Sequence, residues 1–271
     1  MEREFPINNE GGLFQKGTII FQERIGMSTK DYRASHQASG YGARYKNNYK
    51  EGYYFAQWNK LEMPILKKVL AELSIKSDIC LDFACGTGRI TACIAPFFRK
   101  VMAVDISKEM LKEAPDLNNV EFGNVDITRA PLSESYDIVT AFRFFLNSEP
   151  LLRKEALKAI YRHLNSDGYL ICNIHMNATS MMGCVYRFLK FVTGKDIHSV
   201  LKDSDFTFLL SENGFDVKQI EYFSFLPRPG RALPWLMQRV IRPVEIFCKF
   251  LRVPDRFAQS YLIVAQKKEA K

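Results

Sequence analysis

Long apolar runs are missing from this sequence. The best candidate for a membrane span is broken by Arg187 and Lys190, so no stretch reaches the roughly 20 apolar residues that a bilayer core requires. Histidine is scarce, with four residues, and the six cysteines at 80, 85, 93, 172, 184 and 248 have neither paired nor metal-like spacing. No zinc module or disulfide framework is therefore expected; the cysteines read as reduced core residues of a cytosolic protein, and the expected metal ligands are none. The first residues, MEREFPINNEGG, lack the basic and apolar regions of a signal peptide, which adds to the expectation of a cytoplasmic protein. Acids are in the minority, and the formal charge of +8 favours an anionic partner of some kind.

What is present is enough apolar material for one large core: 271 residues, 47% of them hydrophobic. The stretch that organises the rest is ICLDFACGTGRIT, residues 79–91. Ile79, Cys80, Leu81 and Phe83 read as a buried parallel strand. The strand ends in a turn of small residues at 84–88, and an apolar-periodic helix follows through Ile90, Ile94 and Phe97. Such a turn lets backbone approach a ligand closely and aims free helix amides at it. A dinucleotide fingerprint would place a third glycine where Thr91 stands, and no Lys-Ser or Lys-Thr pair follows as a phosphate loop requires. Instead an acid, Asp82, precedes the turn, which suits a ligand carrying a positive amino group and no phosphates.

Further along, residues 100–107, KVMAVDIS, form a second buried strand ending in Asp105. Its interval from Gly88 fits an acid that accepts hydrogen bonds from ribose hydroxyls, with Ser107 free to cap the helix over 108–114. A third strand is expected at 120–122 and a fourth at 136–142. Ligands bind at the carboxyl ends of such strands, so Phe142 to Asn147 should border the reacting group. There Arg143 either binds an acceptor carboxylate, sulfate or phosphate, or pairs with an acid of the fold. A helix over 151–164, capped by Ser148 with Pro150 in its first turn, precedes a fifth strand at 169–174. That strand closes with His175, Met176 and Asn177 facing the acceptor pocket, and His175 is the favoured general base among the four histidines. Ahead of the first strand, apolar spacing predicts an amphipathic helix over 61–73.

The motif LDFACGTGR resembles the first motif of the class I S-adenosylmethionine-dependent methyltransferases, with Ala84 at the first of three glycine positions. The resemblance covers about residues 60–268. It implies an α/β fold with a seven-stranded, mostly parallel, Rossmann-like sheet in the order 3-2-1-4-5-7-6, and S-adenosyl-L-methionine as cofactor. The turn Ala84, Cys85, Gly86, Thr87 and Gly88, with Asp82, would hold the methionine end. Asp105 with Ile106 would hold the ribose. The loop Asn124, Val125, Asp126 and Ile127 would hold the adenine, and Phe142 would lie near the methyl group. In related enzymes an N-terminal segment adds aromatic and basic contacts, which makes Arg44, Tyr45, Tyr53, Tyr54 and Trp58 candidates. The acceptor pocket would then use Tyr53, Tyr54, Trp58, Phe144, Asn147 and Asn177.

The expected organisation is a cap at 1–58, a methyltransferase domain at 59–268 and a tail at 269–271. Insertions at 178–203 and 227–257 should form a lid bordering the acceptor pocket. The second insertion contains a basic amphipathic helix, which either packs as lid or lies on an anionic membrane surface. The expected activity is metal-independent methyl transfer to a small-molecule or sugar-containing acceptor, at oxygen before nitrogen. An isoprenoid or lipid-linked acceptor at the membrane, or a non-catalytic binding protein of the same fold, are the alternatives. Nucleic acid is disfavoured as a partner, because Phe-Arg-Phe-Phe stands where a flipped-base motif would follow the fourth strand.

Overall fold

A computed structural model describes residues 31–73, 78–195, 198–227 and 234–269. The chain enters through α1 (Tyr41–Asn47) and α2 (Gly52–Gln57), a π-helical turn at Trp58–Glu62, and α3 (Met63–Leu73). Pro64 is the second residue of α3, directly after the π-helical turn. Then come β1 (Ile79–Phe83), α4 (Arg89–Ile94), β2 (Lys100–Val104), α5 (Lys108–Leu111), β3 (Val120–Gly123), β4 (Tyr136–Ala141), α6 (Pro150–His163) and β5 (Leu164–Ile174). The last part comprises α7 (Met181–Thr193), α8 (Asp203–Glu212), β6 (Phe215–Phe223), α9 (Pro234–Phe250) and β7 (Ser260–Lys267).

The strands form one seven-stranded sheet in the order β3-β2-β1-β4-β5-β7-β6. Every pair is parallel except β7, which runs antiparallel to both β5 and β6. The expected fold class and strand order are both found. Two apolar cores lie against the sheet. One gathers Leu81, Val139, Leu157, Ile160 and Phe206; the other gathers Leu66, Leu70, Cys80, Ile94 and Ile171. Neighbouring residues of β1, Cys80 and Leu81, thus fall in different cores, as the two-residue period of a strand covered on both faces requires.

Several local expectations are corrected. Strand β5 begins at Leu164 rather than 169, because Tyr136 pairs with Leu164 ahead of an irregularity in the register. Glu149, not Ser148, is the N-cap of α6 and makes no side-chain capping bond; the Ser148 hydroxyl bonds Phe145 O instead. Two of the six cysteines are not core: Cys184 is exposed and Cys248 half-buried.

Candidate functional site

The turn after β1 is built on left-handed backbone. Ala84, Gly86 and Gly88 have φ values of 55°, 59° and 72°. A Cβ at Gly88 would also stand 2.7 Å from Pro115 Cδ, so glycine is required there by both conformation and space. Ala84 adopts the turn despite its Cβ. The turn is tied to β2 by Cys85 N–H donating to Val104 O at 3.0 Å and by Gly86 N–H donating to Asp105 Oδ2 at 2.8 Å.

Asp105 therefore has its carboxylate docked on the turn. Its other oxygen accepts from Ser107 N at 2.8 Å, and each oxygen keeps lone-pair capacity toward the cavity. Burial raises its pKa. Ser107 caps α5 as expected, accepting from Met110 N while its hydroxyl donates to His36 O at 2.6 Å.

Asp82 is 1% exposed and accepts from two hydroxyls, Thr91 Oγ1 at 2.6 Å and Thr140 Oγ1 at 2.7 Å. Thr91 stands where a third glycine would be, and its role is to hold this carboxyl. Burial pushes Asp82 up to about 6, against the downward pull of the two hydroxyl bonds.

Beside Asp82 the Arg89 guanidinium lies between two aromatic rings, 4.2 Å from the centroid of Tyr49 and 4.2 Å from that of Trp58. Its Nε and Nη1 are buried and have no hydrogen-bond partner. Arg143, at φ 61°, is buried as a whole residue, and its Nη2 pairs with Glu62 Oε2 at 3.0 Å. Of the two roles left open for Arg143, the geometry has it paired with an acid of the fold. Tyr45 and Tyr49 approach through their hydroxyls at 3.4 Å. Burial alone would raise both phenols; at Tyr49 the Arg143 and Arg89 charges outweigh it and the pKa falls, while at Tyr45 it rises.

Tyr45, Asp82, Arg89, Asp105 and Arg143 line an open cavity at the carboxyl edge of the sheet. Of the expected cofactor residues, Asp82, Ala84, Cys85, Gly86, Thr87, Asp105, Ile106, Val125, Asp126 and Phe142 line it. Gly88, Asn124 and Ile127 do not: Gly88 backs onto Pro115 and Phe122, the exposed Asn124 donates to Asp105 O, and Ile127 is fully buried in the core. Of the expected acceptor residues, Arg143, Phe144 and Asn147 line the cavity. Tyr53 is held away by its hydroxyl contact with Ser224 Oγ at 2.6 Å. Tyr54 packs on Tyr49, and Trp58 acts one shell out by stacking on Arg89. Asn177 is buried and donates to Arg256 O and Ala258 O, holding the loop before β7. His175 is outside the wall too. Its Nδ1 is buried and without a partner, and burial, Arg143 and His198 hold its pKa well below 6.5.

No described residue of 178–203 or 227–257 lines the cavity. Helix α9 packs instead on α2 and the π-helical turn, burying Met237 and Ile241. The cover comes from the N-terminal arm, where Tyr32, Arg33, His36 and Tyr45 line the cavity. Arg33 bonds Asp126 Oδ2 at 3.1 Å and Glu155 Oε2 at 3.0 Å, while Asp126 Oδ1 accepts from Thr128. Sequence reading did not single out Arg89, although a signal existed: a cation in the first turn of a helix opposes the helix dipole and needs another reason to be there.

A methyltransferase-domain family matches residues 80–168. An uncharacterized methyltransferase of Schizosaccharomyces pombe is 29% identical over 181 residues, 61% of this chain and 68% of that protein. The malonyl-[acyl-carrier protein] O-methyltransferase of Bacillus cereus is 32% identical over 40% of this chain, a match spanning only 41% of its own length. Among solved structures, magnesium protoporphyrin IX methyltransferase of Synechocystis with bound S-adenosylhomocysteine has a TM-score of 0.56 at 16% identity, covering 83% of this chain and 94% of that one. At that identity the likeness concerns the fold.

Proposed function

The chain carries a class I S-adenosylmethionine-dependent methyltransferase domain, and we propose that it methylates an oxygen of a small-molecule acceptor without a metal in the transfer step. S-adenosylmethionine is the cofactor of this family, and the lining of the cavity supports its binding there. The observation that carries the reading is Arg89, a half-buried cation whose Nε and Nη1 are buried with no protein acceptor, on the wall of a cavity that also presents Asp105. A ligand with a carboxylate at one end and a ribose further along answers both.

Arg89 would bind the methionine carboxylate and Asp82 would face its ammonium group. Asp105 would accept from the ribose hydroxyls. Ile106, Met110 and Val125 offer apolar surface to the adenine, with Asp126 as acceptor for its exocyclic amine. Bound, the cofactor supplies a methyl group already activated on sulfonium sulfur. The protein is then left to align an acceptor and exclude water, for which Phe142, Phe144 and Asn147 on one side and Tyr32 and Tyr45 on the arm form the wall. Oxygen as target is supported by the name of the Bacillus relative, an O-methyltransferase.

Incubation with methyl-labelled S-adenosylmethionine and a panel of hydroxyl, carboxyl and amine compounds tests the proposal. Label should move to a hydroxyl or carboxyl compound, and Asp105→Ala should abolish transfer. Transfer to amines alone would overturn the oxygen assignment. A second reading, an isoprenoid or lipid-linked acceptor, is favoured by the apolar side chains exposed on α7 and α9.

A further inference from the structure

Helices α7 and α9 leave unusual faces uncovered. In α7, Gly183 is the one buried residue: a Cβ there would stand 2.1 Å from Asn177 O, so this end is pressed onto the 177–178 loop, and Ser180 caps it through Gly183 N at 3.0 Å. Beyond that anchor the helix turns Val185, Phe188, Phe191 and Val192 outward, with Phe188 65% and Phe191 87% exposed. Helix α9 buries Met237, Ile241 and Glu245 on one side. On the other it exposes Trp235 at 58%, Phe247 at 60% and Phe250 at 80%. Scattered exposed apolar residues are ordinary on a protein surface, but bulky aromatics repeated along two helices are not.

Charge accompanies the apolar groups. Residues 181–195 and 234–256 hold eight Lys and Arg against two acids, Glu245 and Asp255, which is six of the chain's formal net charge of +8. Glu245 is buried, accepts from Ser224 N and pairs with Lys249, so the charge it offsets is that of Lys249 and the arginines are left unopposed by it. Arg187, Arg239, Arg242, Arg252 and Arg256 are exposed.

Topology puts both helices beyond one edge of the sheet, α7 resting Met182 and Tyr186 on the core that holds Leu81 and α9 resting Met237 and Ile241 on the core that holds Cys80. Helix α7 follows the carboxyl end of β5. Helix α9 follows the carboxyl end of β6, which runs in the same direction because both strands are antiparallel to β7. The cavity opens at that same edge. The two segments are also joined: Asn177 N donates to Gln259 O at 2.7 Å and Thr179 Oγ1 to Arg256 O at 2.7 Å.

We propose that α7, α9 and the 251–257 turn together form a docking face for an anionic lipid bilayer. Aromatic side chains enter the interface while arginines and lysines meet the headgroups, the arrangement of helices that lie in a membrane surface without crossing it. No helix of the described residues is long and apolar enough to cross one. Charge complementarity selects lipid: a protein partner for so basic a rim would need an acidic, apolar counterpart, whereas an anionic leaflet supplies both properties at once.

The experiment is co-sedimentation of the full chain, without cofactor, with vesicles of phosphatidylcholine alone or mixed equally with phosphatidylglycerol. The protein should pellet with the anionic vesicles and not the neutral ones, and pelleting should weaken as salt rises. Phe188→Glu with Phe191→Glu, and Phe247→Glu with Phe250→Glu, alter exposed side chains and should each reduce binding by at least about tenfold. Recovery in the supernatant with both lipids overturns the proposal, as does undiminished binding by both double variants. So does a wild-type chain that ignores vesicles but self-associates through these phenylalanines in sedimentation velocity. The readout needs no methyl transfer, so its failure is separable from failure of the enzymatic reading.

Discussion

Glu62 and Arg143 form a buried ion pair, 3.0 Å from Oε2 to Nη2, that ties the π-helical turn ahead of the sheet to the chain just beyond β4. Asn173 completes the ring, its amide nitrogen donating to Glu62 Oε1 and its carbonyl accepting from Arg143 N at 2.7 Å. The pair fixes the corner where the cavity wall turns from Phe142 to Phe144. Replacing Glu62 by Gln would strand a buried guanidinium. The expected loss is about 3–5 kcal/mol of stability, read from urea unfolding. A loss under about 1 kcal/mol would mean that the arginine escapes to water at little cost.

Ala84 holds φ 55° at a position where glycine would carry no Cβ penalty. Ala84→Gly should therefore stabilise the fold by about 0.5–1 kcal/mol, seen as a higher unfolding temperature, with the turn unchanged. The gain is trimmed by the greater freedom of glycine in the unfolded chain.

The Asp82 carboxyl sits at about 6 when folded, above its ordinary value of 3.8. The folded state thus binds this proton more tightly than the unfolded state, and stability falls as pH rises between roughly 4 and 6. The total is about 3 kcal/mol, and it is lost in full above that window. Asp82→Asn should flatten the slope. Cofactor affinity should run the other way: an ionised Asp82 favours the ammonium group, so S-adenosylhomocysteine should bind more weakly as pH drops through 6. Titrations across that range, with the Asn variant as reference, check both signs.

His175 reads from sequence as a base, yet the cavity wall passes it by. Its imidazole is held neutral by burial and by Arg143. Replacement by Ala should leave cofactor affinity intact and lower turnover by less than about tenfold; a drop of a hundredfold or more would return it to the mechanism as a base.

The first strands, the glycine turn and the acids at 82 and 105 were legible because each rests on a local pattern: an apolar run, small residues, an acid at a strand end; the strand order followed from the family resemblance that the turn carries. The remainder depended on what the chain meets in three dimensions. Nothing in the 3.6-residue period announces a π-helical turn at Trp58–Glu62, and that turn is what brings Trp58 over Arg89 and Glu62 to Arg143. The basic helix α9 reads from sequence as a lid or a membrane contact. Its packing partners were not legible: Met237 and Ile241 find theirs on the N-terminal helices, far along the chain. Tyr32, Arg33 and His36 reach the site from an arm with weak periodicity, where sequence pattern assigns no partners.

The central claim is that the cavity binds S-adenosylmethionine with Arg89 on its carboxylate. Calorimetric titration of S-adenosylhomocysteine and of 5′-methylthioadenosine, which lacks the amino-acid moiety, into wild type and Arg89→Ala tests it most directly. Wild type should bind the first ligand on the order of micromolar. The variant should lose about tenfold to a hundredfold for it while binding 5′-methylthioadenosine unchanged. No binding of either ligand to wild type, or an equal loss for both in the variant, would contradict the account.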